Sequence, residues 1–430
     1  MFGLLRRSIW VIPVVFGLMI PAFLQGSQKQ RAASQGNNEA GTQAAAADKI
    51  GVADLERVVV SARNKPDKAA AKQIGSLSLS ERINGGRFEM LSAELPGEES
   101  RTALLALADA AEFLDLPAAD IPPTPPLPID EQRAIVVRAV QFALNSIHQM
   151  PNLLATRKLT EYQHIQPPQR IFVLKGSQQP SPRPDVEIKG PFRQVGQSQV
   201  AVVYRDGHEV VENQPANEQT RKYGVTTRGE FGELLRSVIG DMAQGEIRWS
   251  HWEEHKTGRL AVFAFDVPKE RAHYQWTYCC SRSTDGKKQL VSDVVAYHSE
   301  IAIDPDTGAV LRLVVKTEPD INAVLEASEL VEYGPVEIGG RVYMCPVKNV
   351  VLFVALIYEG EPPGVANEGA PGPHASFRID DEPLISIALN HASFENYHIF
   401  RSEVRILPDA PQESPAEGAV PATKPDPQKQ

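Results

Sequence analysis

The sequence predicts an α+β protein: a curled antiparallel sheet (half-barrel) capped by two long helices, with a small helical N-terminal segment ahead of it. Three observations predict it. Across residues 227–243, Phe231, Leu234, Leu235, Val238, Ile239 and Met242 recur at helical spacing behind a Thr227/Glu230 capping box, so they share one apolar stripe. At Ile247 the period switches to two. Ile247, Trp249 and His251 alternate on one face, and Lys256-Thr257-Gly258 makes a three-residue turn. Ala261, Phe263, Phe265 and Val267 then return, pairing Trp249 with Phe265 and His251 with Phe263. On both sides of this unit, alternating runs follow one another through short turns, and short turns join antiparallel neighbours. About ten such strands in one flat open sheet would be unusual, so the sheet is expected to curl.

Taken in order, residues 1–26 read as a secretory signal. Arg6 and Arg7 precede an apolar run from Ile9 to Leu24, interrupted by Pro13 and Pro21, and Gln25-Gly26-Ser27 follows. The run is shorter than the roughly 20 residues a spanning helix needs. The protein is therefore expected to be exported, periplasmic or extracellular, with no spanning segment once the signal is removed. An uncleaved N-terminal helix anchoring it to the membrane is the alternative. Residues 27–47 are a disordered linker of Gln, Ala, Ser, Asn and Gly.

Residues 48–116 form the helical segment, with helices expected at 55–62, 80–91 and 98–114 and a solvated charge-and-alanine run at 65–72. Pro117, Pro122, Pro123, Pro125, Pro126 and Pro128 make 117–128 a stiff linker. The half-barrel domain spans 129–407. Its first helix, 130–149, carries a wide apolar face of Val136, Val137, Val140, Phe142, Ala143, Leu144 and Ile147, and Pro151 ends it.

Strands are expected at 153–162, 170–174, 199–204 and 208–212, then in the hairpin 247–267. Others follow at 273–280, 290–303, 309–316, 324–333, 341–347, 350–358 and 392–406. Asp206-Gly207, Gly339-Gly340 and Asp304-Pro305-Asp306-Thr307-Gly308 supply turns. Residues 359–374 read as a Gly- and Pro-rich loop, and 408–430 as a disordered tail.

The chain of 430 residues, 42% hydrophobic, permits a sizeable core. A net charge of −10 argues against nucleic acid and against an anionic membrane surface. In an exported protein Cys279, Cys280 and Cys345 leave one thiol over. Neighbouring strand residues face opposite ways, so only one of the adjacent pair can meet Cys345; Cys280 is the candidate, and three buried thiols are the alternative.

The candidate site is aromatic. Trp249, Phe263, Phe265, Tyr274, Trp276 and Tyr278 fall on inward positions and would line a cavity for an apolar, lipid-like ligand. His251-Trp252-Glu253-Glu254-His255 fits the zinc-peptidase pattern H-x-x-E-H, in which His251, Glu254 and His255 would serve a metal. That chemistry needs a helix. In a strand, at about 3.3 Å per residue, the two histidines stand some 13 Å apart, and Trp252 packs on the outer face. Asp304, Asp306 and Gly308 begin like a calcium loop, but Val315 stands where its bidentate carboxylate belongs. No catalytic residue, metal or cofactor is therefore expected.

Three phrases carry a resemblance: Met150-Pro151-Asn152-Leu153-Leu154-Ala155-Thr156-Arg157, Gly229-Glu230-Phe231-Gly232, and Ile303-Asp304-Pro305-Asp306-Thr307-Gly308 with Leu311-Arg312. Together with the element order over 129–407, they resemble uncharacterised exported bacterial proteins with a LolA-like unclosed barrel, the architecture of outer-membrane lipoprotein carriers. The resemblance implies a concavity that shields acyl chains or apolar peptide. The expected function is a non-catalytic binder or carrier of an apolar ligand. A structural or assembly module of the cell envelope binding a protein partner is the alternative, and a zinc hydrolase the third.

Overall fold

Ahead of the proline run, the alanine- and leucine-rich stretches form α1 (Val52–Ala62), α2 (Asp67–Gly75), α3 (Gly85–Glu94) and α4 (Glu98–Ala111). The structure, a computed structural model, describes residues 49–166, 188–211, 224–226, 229–282, 288–318, 324–357 and 384–399. The expected signal and linker at 1–47, the strand at 170–174, the loop at 359–374 and the tail at 408–430 lie outside the described residues.

The run at 65–72 is mostly exposed, as expected, but from Asp67 it also forms α2, which buries one side. Ala70 and Ile74, one turn apart, are fully buried in a cluster shared with Leu104 and Leu107 of α4. The Asp67 carboxylate also caps α4 from outside, accepting from the backbone N–H groups of Glu99 and Ser100 at 3.0 Å each.

The next helix, α5 (Ile129–Gln149), is 21 residues long, yet its buried stripe is only Ile135, Ala139, Ala143 and Ile147. Val137 and Leu144, placed on the apolar face by the sequence, are 54% and 50% exposed. The following helix, α6 (Glu233–Met242), is ten residues and starts later than the capping box suggests. The reason is backbone geometry: Gly229 and Gly232 have φ of 89° and 154°, conformations that turn the chain before a helix can begin. Gly232 becomes the N-cap, Glu230 is buried elsewhere, and Thr227 lies outside the described residues.

The strands are β1 (Leu153–Gln166), β2 (Arg193–Arg205), β3 (His208–Val211), β4 (Gly224–Thr226), β5 (Ile247–His255), β6 (Gly258–Val267) and β7 (Gln275–Arg282). They continue with β8 (Lys288–Val294), β9 (Ala296–Ile303), β10 (Val310–Glu318), β11 (Val324–Ile338), β12 (Arg341–Ile357) and β13 (Leu384–Ile399). Ten of them build one open antiparallel sheet in the order β3-β2-β1-β13-β12-β11-β10-β9-β6-β5, and β4-β7-β8 form a separate small sheet. The run at 290–303 is thus two strands in two sheets, broken at the buried Val295, whereas 341–347 and 350–358 belong to the single strand β12.

Successive strand residues point to opposite faces, so the two sides of the sheet acquire different coverings. On the inner side, Phe263, Phe265, Ile301, Leu313, Val331 and Phe353 share one buried cluster with α5 and with Leu234, Leu235, Val238, Ile239 and Met242 of α6. On the outer side, Val314, Leu330, Val350, Leu352, Ile387 and Leu389 pack with Ala106 of α4 and with Phe113. The proline stretch lies along the hairpin: Trp252 Nε1 donates to the Pro125 carbonyl at 3.2 Å, and an Arg259 guanidinium N–H to Thr124 Oγ1 at 2.7 Å.

Candidate functional site

The β5–β6 hairpin closes one residue tighter than its sequence suggests. Lys256-Thr257 is a two-residue turn that pairs His255 with Gly258, and a register shift between Trp249 and His251 leaves Ser250 as a bulge. Trp249 consequently faces Phe263, not Phe265, and His251 faces Val262, not Phe263. The bulge separates what simple alternation had joined: Trp249 stays inward and His251 turns outward. It also brings Trp252 inward, correcting its expected outer position. Trp252 is 6% exposed, with ring centroids 4.8 Å from Trp249, which in turn meets Phe263 at 5.4 Å.

Because the H-x-x-E-H segment is a strand, the zinc reading loses the helix it requires. His251 Nδ1 lies 2.9 Å from Ser250 Oγ at the bulge and His255 Nδ1 2.8 Å from Thr257 Oγ1 at the turn, so each imidazole is engaged with a neighbouring hydroxyl. Among the described residues, no group of three or more His, Cys, Asp and Glu is placed to hold a metal ion.

Five of the six aromatic candidates come together. Phe263, Phe265, Tyr274 and Trp276 are buried in the inner cluster, and Trp249 packs against it. Trp276 approaches Phe353 at 6.2 Å, and Tyr274 meets Tyr297 edge-on at 5.7 Å. The Tyr278 and Cys280 side chains lie outside the described residues. Among the described residues Cys345 is a buried thiol with no disulfide partner, and burial pushes its pKa up to about 12.

A cleft of about 20 Å³ reaches this interior between α5 and the strands, lined by Phe142, Ile147, Phe231, Leu235, Met344 and Tyr333. That is room for about one water molecule.

Beside the aromatic set stands a polar cluster that the sequence reading missed. Glu329 of β11 accepts from Tyr274 Oη and from Asn349 Nδ2, both at 2.8 Å. Glu209 of β3 accepts from the Gly229 N–H at 3.0 Å, and the fully buried Glu230 lies 3.8 Å from Arg157 Nη1. Burial, and then the charge of Glu230, push Glu329 up to about 8. The same two causes, burial first, raise Glu209 well above the ordinary carboxylate range. Among the described residues, the hydroxyls of Tyr204 and Tyr333, Arg157 Nε and Glu209 Oε1 are buried without a hydrogen-bond partner. One signal was readable: in the alternating series Ala327, Glu329, Val331, Tyr333, an acid occupies an inward position.

The outer side holds a larger polar cleft of about 410 Å³, bordered by Arg82, Glu112, His251, Glu300, Arg312 and Lys316. Its charges are largely engaged with one another. Arg82 makes a two-pronged contact with Glu253 at 3.2 and 2.9 Å, and Arg312 Nη2 reaches Glu253 at 2.6 Å and Glu300 at 2.8 Å. We read it as the seam that fixes the helical segment to the sheet.

No protein-family model matches the chain, and no curated protein matches it. Solved structures similar to it include a DUF1329 family protein from Desulfovibrio piger, 9% identical with a TM-score of 0.23, matched over 62% of this chain and 92% of that one. Another is a LolA superfamily protein from Nitrosomonas europaea, 9% identical with a TM-score of 0.20, over 63% of this chain and 94% of that one. The likeness is a distant one of fold. Among the described residues, no helix is long and apolar enough to cross a membrane.

Proposed function

We propose that the chain is an exported, non-catalytic binding protein that carries an apolar, lipid-like ligand on the inner face of its sheet. In this reading the sheet serves as a half-barrel, Trp249, Phe263, Phe265, Tyr274, Trp276 and Tyr278 as its lining, and α5 as the cover that moves aside. The observation that carries it is the mismatch between cover and content. Beneath α5 lies a cluster rich in large aromatic side chains, whereas α5 itself buries only two isoleucines and two alanines along 21 residues, with Val136, Val140 and Phe142 half-buried beside them. Burial contributes about 0.8 kcal/mol per CH₂, so an alanine-rich stripe holds a helix weakly, and an acyl chain can replace it. Arg6, Arg7 and the apolar run behind them support export.

Native mass spectrometry of the mature protein tests the reading, together with titration by a fluorescent fatty-acyl probe. The expected result is lipid retained through purification and saturable probe binding. A lipid-free protein that ignores the probe would exclude a carrier.

The second reading, an envelope assembly module gripping a protein partner, draws on Val137 and Leu144, half-exposed on the outer flank of α5. It predicts a stoichiometric protein complex, lost on Val137→Glu with Leu144→Glu, and no lipid.

A further inference from the structure

The inner face is not uniformly apolar, and its polar island restricts the kind of lipid that fits. The small cleft under α5 has mainly apolar walls and two hydroxyl-bearing lining residues, Ser146 of α5 and Tyr333, the latter 7% exposed. The Tyr333 hydroxyl has no hydrogen-bond partner among the described residues. The Tyr204 hydroxyl, likewise unpartnered, lies next to Gly232, where an added Cβ would sit 3.7 Å from it and 3.2 Å from Ile147 of α5. One phenol O–H donor, that of Tyr333, therefore lines the apolar cleft, and a second, that of Tyr204, lies beside Gly232 in its wall. An unmade buried hydrogen bond is costly, so an oxygen of the ligand that accepts from them gains more than it would in water.

Charge decides which oxygen. Among the described residues, the charges that act on Tyr333 are Glu329 of β11, Glu230 ahead of α6 and Glu209 of β3, with Arg157 of β1 beside Glu230, while Arg236 and Glu233 act on Tyr204. The segment of α5 lining the cleft adds no ionisable side chain. In this surrounding, burial and then the charge of Glu230 favour the uncharged forms of Glu209 and Glu329. A further carboxylate would meet the same penalty.

Resting on the carrier reading, we propose that the bound lipid presents an uncharged oxygen, that of an ester or an alcohol and not of a free fatty acid, to Tyr333 at the end of the cleft beneath α5. A long acyl chain would then follow the apolar walls toward the aromatic cluster as α5 yields.

The test compares palmityl alcohol, methyl palmitate and palmitate as competitors for a fluorescent acyl probe on the mature protein near neutral pH. The alcohol and the ester are expected to bind about tenfold or more tightly than palmitate, the cost of one unfavourably placed charge. Tyr333→Phe should weaken the alcohol and the ester about fivefold, the worth of one hydrogen bond, and leave palmitate unmoved. Glu329→Gln should narrow the gap in favour of palmitate. The Phe variant breaks no hydrogen bond among the described residues, so its fold is expected to survive. Equal or tighter binding of palmitate, or a Tyr333→Phe variant that treats all three ligands as wild type does, overturns the inference while the carrier reading stands. If none of the three competes because the probe itself never binds, the carrier reading falls and this inference with it. Discrimination between alcohol and ester identifies which neutral head is carried.

Discussion

The two faces of the ten-stranded sheet carry buried carboxylates that behave in opposite ways, and the difference lies in their partners. On the outer face Glu253 touches two guanidinium groups. Burial works against its ionised form, but Arg312, His251 and Arg82 outweigh it and hold the carboxyl well below the usual range. Asp109 repeats the pattern: burial is opposed by His391 at 2.8 Å and Lys348 at 3.4 Å, and its pKa is lowered. On the inner face Glu329 has neutral donors and an acidic neighbour, and its pKa rises. The outer covering therefore adds specific, geometry-setting ion pairs to its apolar cluster, and the inner covering of α5 rests chiefly on non-directional apolar burial. Directional pairs fix a register, while apolar burial can be exchanged for another apolar surface. That contrast is why the helical segment reads as a permanent part of the fold and α5 as a replaceable cover.

The largest effects should come from breaking each attachment at its centre. Glu253→Ala leaves the Arg82 guanidinium buried without its partner, and removing one member of a buried pair costs about 3–5 kcal/mol. Phe265→Ala, at a fully buried position, costs about 3–5 kcal/mol by cavity formation. Urea denaturation would show both losses, but limited proteolysis should tell them apart. The Glu253 variant is expected to expose the helical segment to cleavage first, while Phe265→Ala lowers protection throughout. Identical cleavage patterns would mean that the two faces are not independently attached.

Much of this contrast was written in the sequence, but not its chemistry. The long helix at α5, the helix-to-hairpin switch at Met242 and Ile247 and the turns at Gly207, Gly308 and Gly339 were legible because period and turn residues are local signals. The bulge at Ser250 was not, since nothing in Trp249-Ser250-His251 distinguishes a bulged residue from a paired one; it alone moved His251 outward and Trp252 inward. The polar cluster was harder still. Arg157, Glu209, Glu230 and Glu329 stand up to 172 positions apart (329 − 157), and only strand order gathers them. Glu230 misled most directly, because its spacing from Thr227 fits a helix cap that the backbone at Gly229 and Gly232 forecloses.

Acidity should separate the faces within one protein. Glu329 has a folded pKa of about 8 against an ordinary 4.5, so its contribution is fully present below pH 4.5 and is lost as pH rises through about 8. Glu253 is depressed from the same ordinary value, so its contribution is present above pH 4.5 and is lost as pH falls from there toward its lower folded value. Urea midpoints measured across pH are expected to decline at both ends. Glu329→Gln should shrink the alkaline decline alone, leaving the share of Glu209, and Glu253→Gln the acid decline alone, leaving the share of Asp109. A Glu329→Gln protein that loses as much stability as wild type between neutral pH and pH 8 would show that another group, Glu209 first, carries the alkaline decline.

The smallest predicted effect bears most closely on function, since it concerns how α5 is held. Gly308 ends the turn between β9 and β10 with φ of 80°, and a Cβ there would lie 2.7 Å from the backbone of Arg138 in α5. Arg138 completes the contact, its guanidinium donating to the Pro305 carbonyl at 2.8 and 3.2 Å. Gly308→Ala should cost about 1–3 kcal/mol, from the positive φ and from pushing α5 away. The same push sharpens the comparison of the two faces. Hydrogen exchange should speed up along α5 and leave the helical segment at its wild-type rate, and an acyl probe should bind the variant faster than wild type. A variant in which both coverings loosen together, or in which probe uptake slows, would make α5 a structural layer and leave the sheet with two fixed faces.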